Sequence, residues 1–154
     1  MDTIAPEQVR QEVRKFWEIM SGKSADRLEN LYSPTAIVIT GKSRQPEGAG
    51  LALARRTRQV GDTSQEASAE LGELEIQIVG DVAVATYTYQ FHTTKTTAEG
   101  SLKQRHTLYG RATQIFQLDP RGGLRIVHEH LSSAANPKVD ASGDFRPVRT
   151  IPGS

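Results

Sequence analysis

The segment Gly110–Ser132, reading GRATQIFQLDPRGGLRIVHEHLS, constrains the fold more than any other stretch, because it joins two strand-forming runs through a turn whose geometry can be read. In Asp119-Pro120-Arg121-Gly122, proline presets its own φ at the second turn position and glycine stands where a positive φ is needed. That combination suits a type I turn closed by a bulge, so the flanking runs pair as antiparallel strands.

The earlier half of the chain carries a different period. Val9, Val13, Phe16, Trp17 and Met20 recur at helical spacing between Pro6, suited to a first-turn position, and Gly22, suited to a stop. A short second helix is expected from an N-cap at Ser24 through Tyr32, where Ser33-Pro34 ends it, followed by a strand over 36–40. Between Gly48 and Gly61 the run GAGLALARRTRQVG is rich in helix formers and reads as a third helix, with Leu51, Leu53 and Ala54 apolar and the arginines opposite. Arg55, Arg56 and Arg58 are then the solvated face of that helix.

Beyond it the period becomes two. Leu74, Ile76 and Ile78 alternate with polar residues, and Ala83, Ala85, Tyr87, Tyr89 and Phe91 alternate with Val82, Val84, Thr86 and Thr88, with Gly80-Asp81 as a tight turn between the two runs. Thr93–Gly100 is polar and reads as a loop before a strand that begins near Arg105. Helices first and long antiparallel strands afterwards make an α+β domain over residues 1–133. A curved sheet wrapped around the N-terminal helices leaves a conical pocket between them. Residues 134–154 lack periodicity and contain three prolines, so an extended or disordered tail is expected.

Composition narrows the function classes. The 154 residues hold 19 Lys and Arg against 18 Asp and Glu, a formal net charge of +1, and the basic residues are dispersed. No stripe suited to tracking phosphates emerges, so nucleic acid is not an expected partner. Cysteine is absent, which excludes thiolate chemistry and cysteine zinc sites. Neither a signal-peptide pattern at Met1–Pro6 nor an apolar run approaching ~18 residues is present, so the expected setting is cytoplasmic, with no membrane partner.

The order of elements, ending in Gly110-Arg111-Ala112-Thr113 and Leu124–Ser132, resembles the SnoaL-like families of the nuclear-transport-factor-like superfamily. The helical half matches in pattern at Leu28–Ala36 and Glu47-Gly48. That superfamily includes ketosteroid isomerases, scytalone dehydratase, polyketide cyclases and the calcium/calmodulin-dependent kinase association domain. The resemblance implies a cystatin-like curved sheet around a helix-lined pocket, commonly in a homodimer. It does not carry an activity with it, because the catalytic Asp of the isomerases and the Asp/His set of scytalone dehydratase have no matching motif here.

Three constellations could carry chemistry. His128 and His130 lie two apart on a strand and share a face, as metal ligands, an acid/base pair or structural histidines would. With the turn placed as above, Gln114 and Ala112 stand opposite them, neither a good ligand, and no metal is expected. The same register sets Thr113 opposite Glu129 and Arg111 opposite Leu131, making Arg111 and Glu129 diagonal neighbours on the other face. If that face lines the pocket, Arg111 can bind an anionic or carbonyl-bearing ligand and Glu129 can act as general base; if it faces solvent, they form a surface ion pair. By resemblance to the kinase association domain, the positions of Val127, Glu129 and Leu131 point inward and the histidines outward. Trp17, Tyr32, Tyr87 and Tyr89 offer aromatic surface to a flat apolar ligand, while His92 is expected to be exposed.

Three functions follow as expectations. The first is a homodimeric protein that binds a small apolar or anionic organic ligand without a cofactor, its pocket lined by Trp17, Tyr32, Tyr89, Arg111 and Thr113 beside Glu129. The second is a cofactor-independent isomerase, cyclase or dehydratase with Glu129 or a histidine as base. The third is an oligomerisation module.

Overall fold

In the computed structural model, which describes residues 3–41, 45–60 (Gln59 by its backbone alone), 65–96 and 103–134, the N-terminal apolar period forms helix α1 (Pro6–Met20). Pro6 sits in its first turn, where a missing N–H costs nothing, and the Gln8 side chain accepts from the Ala5 N–H at 2.9 Å. Val9, Val13, Phe16, Trp17 and Ile19 make its buried stripe. The chain leaves the helix through Gly22, whose φ of 72° is open to glycine at little cost.

The expected second helix is shorter and later. Ser24 does not cap it; its hydroxyl accepts from the Asp26 N–H in a local turn, and only Leu28–Leu31 forms a single 3-10 turn. Tyr32 instead opens strand β1 (Tyr32–Ile39), which pairs with the short β2 (Glu47–Gly48) before helix α2 (Ala49–Val60). A strand absent from the sequence reading follows, β3 (Gln65–Leu71), whose alternation of Ala67, Ala69 and Leu71 with polar residues is only weakly apolar. Then come β4 (Glu75–Val79), β5 (Val82–Thr96), β6 (Lys103–Leu118) and β7 (Leu124–Ser133). Thr93–Thr96 therefore belong to β5 rather than to a loop, while residues 97–100 and the tail from 135 onward lie outside the described residues.

The seven strands form one curved, unclosed sheet in the order β2-β1-β7-β6-β5-β3, with β4 continuing the β3 edge along the other half of β5. All pairings are antiparallel except β1 with β7, which run parallel, so the sheet is mixed. Both expected turns are present. Gly80 (φ 61°) and Asp81 link β4 to β5, and the Gly122 N–H donates to the Asp119 carbonyl at 2.8 Å, with Gly122 and Gly123 at φ 90° and 82°. The Arg121 N–H also donates to the Asp119 carboxylate, which holds that carboxyl below its usual range.

The core lies between the concave face of the sheet and the helices. Ala83, Ala85, Tyr87, Tyr89 and Phe91 face it from β5, and Ala112, Gln114 and Phe116 from β6. On β7 the inward set is Leu124, Ile126, Glu129 and Leu131, and the step of three between Ile126 and Glu129 marks a bulge. Phe116 pairs with Ile126 and Ile115 with His128, so Val127 is the extra residue.

That bulge corrects the sequence register by one. Glu129 lies opposite Gln114, His130 opposite Thr113, Leu131 opposite Ala112 and Ser132 opposite Arg111. Arg111 and Thr113 consequently face away from Glu129, on the side of the sheet that carries the histidines.

Candidate functional site

Glu129 is the centre of the interior polar cluster. It has no solvent exposure, stands beside Val38 of β1 and Gln114 of β6, and is covered by α2 through Arg56, itself 6% exposed. Arg56 sits in register with the packing face of α2: Ala49, Ala52 and Leu53 precede it at helical spacings of seven, four and three residues, and all are buried. The expectation of a fully solvated arginine face is thus overturned at one of its three members, and Leu51, expected in the apolar set, is 64% exposed.

The cluster is held by directed hydrogen bonds. The Tyr32 hydroxyl donates to Glu129 Oε2 at 2.6 Å and accepts from Arg56 Nη1 at 2.7 Å. Gln114 Nε2 donates to the same Oε2 at 2.8 Å, while Gln114 Oε1 accepts from the Tyr87 hydroxyl at 2.7 Å. Trp17 Nε1 in turn donates to the Tyr87 oxygen at 2.9 Å. Each group fixes the next, so the amide orientation of Gln114 is set by partners at both ends.

Arg56 Nη1 also stands 2.6 Å from Glu129 Oε1, an ionic contact without the alignment of a hydrogen bond. As a result Glu129 Oε1 and Arg56 Nη2, both buried, have no hydrogen-bond partner among the described residues. The electrostatics follow from this geometry. Burial works against the Arg56 charge, but Glu129 and Tyr32 together outweigh it and hold the guanidinium proton more tightly than usual. Burial, reinforced by the Glu129 charge, pushes the Tyr32 hydroxyl well above its ordinary range, and burial raises Tyr87 and Tyr89 as well.

Of the six residues singled out in the sequence, Trp17, Tyr32 and Tyr89 come together with Glu129 inside. The Trp17 ring lies 4.5 Å from that of Tyr89 and 4.9 Å from that of Phe16. Tyr89 itself covers Gly110, its direct partner across the strand pair; a Cβ there would lie well inside contact distance of the ring. Arg111 is exposed and Thr113 half-buried on the opposite face.

The sequence reading missed Arg56 and Gln114. A signal for Arg56 existed in its position on the Ala49–Leu53 stripe; Gln114 could be placed only with the bulge known. His92 is also corrected, being 9% exposed, with Nδ1 2.9 Å from the Thr107 hydroxyl and Nε2 3.3 Å from Glu70. Among the described residues no three metal-ligating side chains converge, and no helix is long and apolar enough to cross a membrane.

A cavity of about 670 Å³ opens beside this cluster, between the end of α1, the 3-10 turn and α2. Ile19, Leu28, Ala49 and Leu53 give it an apolar wall, with Asp26, Arg27, Glu29 and Arg125 also lining it. Tyr32 is the one residue common to the cavity wall and the Glu129 cluster.

Known proteins are similar to this chain in family and fold. The model of the SnoaL-like domain family matches residues 9–136. A nuclear-transport-factor-2-like superfamily protein from Salmonella enterica is 26% identical, with a TM-score of 0.60 over 89% of this chain and 99% of its own. A candidate dehydratase of the same superfamily from Streptomyces avermitilis is 18% identical, with a TM-score of 0.71 over 84% of this chain and 97% of that one. A candidate calcium/calmodulin-dependent protein kinase II association domain from Xanthomonas campestris is 16% identical, with a TM-score of 0.64 over 90% and 97% of the two chains. No curated protein matches the chain in sequence.

Proposed function

Because this chain belongs to the SnoaL-like domain family, we propose that it binds a small, largely apolar organic molecule between its helices and its curved sheet, with the Glu129 cluster as the polar end of the site. One observation carries the reading: Tyr32 both lines the cavity of about 670 Å³ and donates to a carboxylate with no solvent exposure. A buried ion pair such as Arg56–Glu129 is a poor device for stability, since a well-packed apolar pair of similar volume does as well or better. Charge retained next to a cavity of ligand size therefore favours a role in recognition. The anionic option in the sequence reading rested on Arg111, which lies on the other face of the sheet; Arg56 is already balanced by Glu129.

The test is a thermal-shift and native mass-spectrometry screen of the full chain against steroids, polyketide-like aromatics and small carboxylates. A ligand present at 100 times its Kd should add about 2.7 kcal/mol by mass action. Thr57→Trp, which fills the cavity from an exposed position, should abolish that gain. A hit whose stabilisation survives both Thr57→Trp and Tyr32→Phe binds elsewhere and ends the proposal.

The second reading is a cofactor-independent isomerase, cyclase or dehydratase with Glu129 as general base. It is favoured by a carboxylate placed away from water beside a tyrosine hydroxyl that can return a proton. Under it, Glu129→Gln loses turnover and keeps ligand affinity; unchanged turnover removes Glu129 as the base. Both readings are compatible with a homodimer through the outer sheet face, where Ile37 is 39% exposed next to half-buried Ile115 and His128. Light scattering at micromolar concentration tests that association.

A further inference from the structure

Two arginines and two carboxylates line the cavity between α1, the 3-10 turn and α2, Arg27 and Arg125 against Asp26 and Glu29, so by residue the sum is neutral. Pairing makes it otherwise. Arg27 Nε stands 2.9 Å from Glu29 Oε1, which matches those two charges to each other. Arg125 is committed away from the cavity. Its Nε stands 3.1 Å from Asp119 Oδ2 and its Nη1 donates to the Asn30 carbonyl at 2.9 Å, and neither Asp119 nor Asn30 lines the wall. Of the four, Asp26 has no counter-ion among the described residues.

The chain fixes where that charge sits. The Asp26 N–H donates to the Ser24 hydroxyl at 3.1 Å, two positions ahead of the 3-10 turn, and the residue is exposed, so it stands at the solvent edge of the cavity. The helix ends leave the sum unchanged. The last turn of α1 reaches the cavity at Ile19 with its partial negative charge, and the first turn of α2 reaches it at Ala49 and Gly50 with a partial positive one.

We infer that the cavity takes an organic amine, with a protonated primary or secondary ammonium group against Asp26 and a hydrocarbon or aromatic body against Ile19, Leu28, Leu53 and Tyr32. This rests on the binding reading above and gives its ligand a charge. The apolar wall supplies most of the affinity and treats all molecules of one shape alike. Charge then selects among them. An ammonium group finds the one carboxylate not already matched, whereas an organic carboxylate meets Asp26 as a like charge and finds both arginines engaged. Because Asp26 is exposed, the preference is modest in size and weakens with salt.

Three probes of nearly one shape test this on the full chain by titration with ligand-observed NMR: 2-phenylethylamine, 2-phenylethanol and phenylacetate. The amine should bind about 2- to 5-fold tighter than the alcohol, the range for one exposed ion pair, with phenylacetate weakest. Raising the ionic strength from about 0.02 M to about 0.5 M should shrink the preference for the amine and leave the alcohol nearly unmoved. Asp26→Asn, a change at an exposed position, should bring the amine down to the level of the alcohol without altering the alcohol itself. Thr57→Trp should weaken all three.

An amine that binds no better than the alcohol, or that keeps its advantage in Asp26→Asn, overturns the inference and leaves the binding reading standing. Phenylacetate binding best does the same. If none of the three binds and the wider screen finds a ligand that Thr57→Trp excludes, the charge of that ligand decides: an amine weakened by Asp26→Asn upholds the inference, and any other ligand overturns it. Silence in both experiments ends both.

Discussion

The two faces of the β6–β7 hairpin carry much the same kinds of side chain and put them to different use. Outward stand Arg111, Thr113, His128 and His130, half-buried or exposed, and none has a partner across the sheet resembling a constellation. Inward stand Gln114 and Glu129, fully buried and joined to each other and to the hydroxyls of Tyr32 and Tyr87 by short, directed hydrogen bonds. The two sets alternate along the same strands, so residue type did not choose between them. The single unpaired residue Val127 did, because one extra residue in a strand exchanges the faces of everything beyond it.

The sharpest way to break this comparison is to remove one charge from the inner face. Arg56→Met leaves Glu129 buried without its counter-charge and should cost about 3–5 kcal/mol in chemical denaturation, of which most should return when Glu129→Leu is added. A recovery of less than half would mean that the pair contributes to stability in its own right.

Alkaline titration probes the same face without mutation. Burial raises Tyr32, Tyr87 and Tyr89, so each holds its proton more tightly folded than unfolded. Their contribution is therefore whole below pH ~10 and lost above it, at about 1.4 kcal/mol per pH unit for each tyrosine while only the unfolded form ionises. Tyrosinate absorbance should show these three ionising together with loss of circular dichroism; ionisation in a still-folded chain would contradict their burial.

Gly110→Ala comes next. Its methyl group meets the Tyr89 ring, and overpacking of this kind costs about 1–3 kcal/mol, with a change in Trp17 fluorescence because the Trp17 ring packs against Tyr89. Smallest is His130→Ala on the outer face of the isolated chain, expected within about 0.5 kcal/mol of the parent. A larger loss that depends on protein concentration would show that the outer face is covered by a second copy.

Most of the architecture is legible in the sequence, and the reasons are local. Pro6, the spacing from Val9 to Met20, the Gly80-Asp81 turn and the Asp119–Gly122 turn each signal their structure through nearby residues alone. What escaped depends on distant partners. β3 is a strand because β5 offers it an edge; its alternation of Ala67, Ala69 and Leu71 with Glu66, Ser68 and Glu70 is carried mostly by alanine, a weak apolar signal and a poor strand former. Tyr32 leaves its expected helix for a strand paired with β7. Resemblance points Glu129 inward, yet the sequence gives it Arg111 as companion, since a bulge at Val127 has no turn residue to announce it. Arg56 lies on the Ala49–Leu53 stripe, but an arginine flanked by Arg55 and Arg58 reads as solvated.

The parallel contact between β1 and β7 also sets when the site can exist. Tyr32 and Glu129 are 97 residues apart in sequence, and the strand that carries Glu129 is the last of the sheet. Bringing such distant segments together is entropically costly and slows folding in proportion to the share of long-range pairings. On a ribosome, Tyr32 is made early and waits through the synthesis of the five strands β2 to β6 before its carboxylate partner emerges. The Tyr32–Glu129 bond is thus a certificate of completion: a chain cut short before β7 can hold helices and hairpins, but it cannot hold the site.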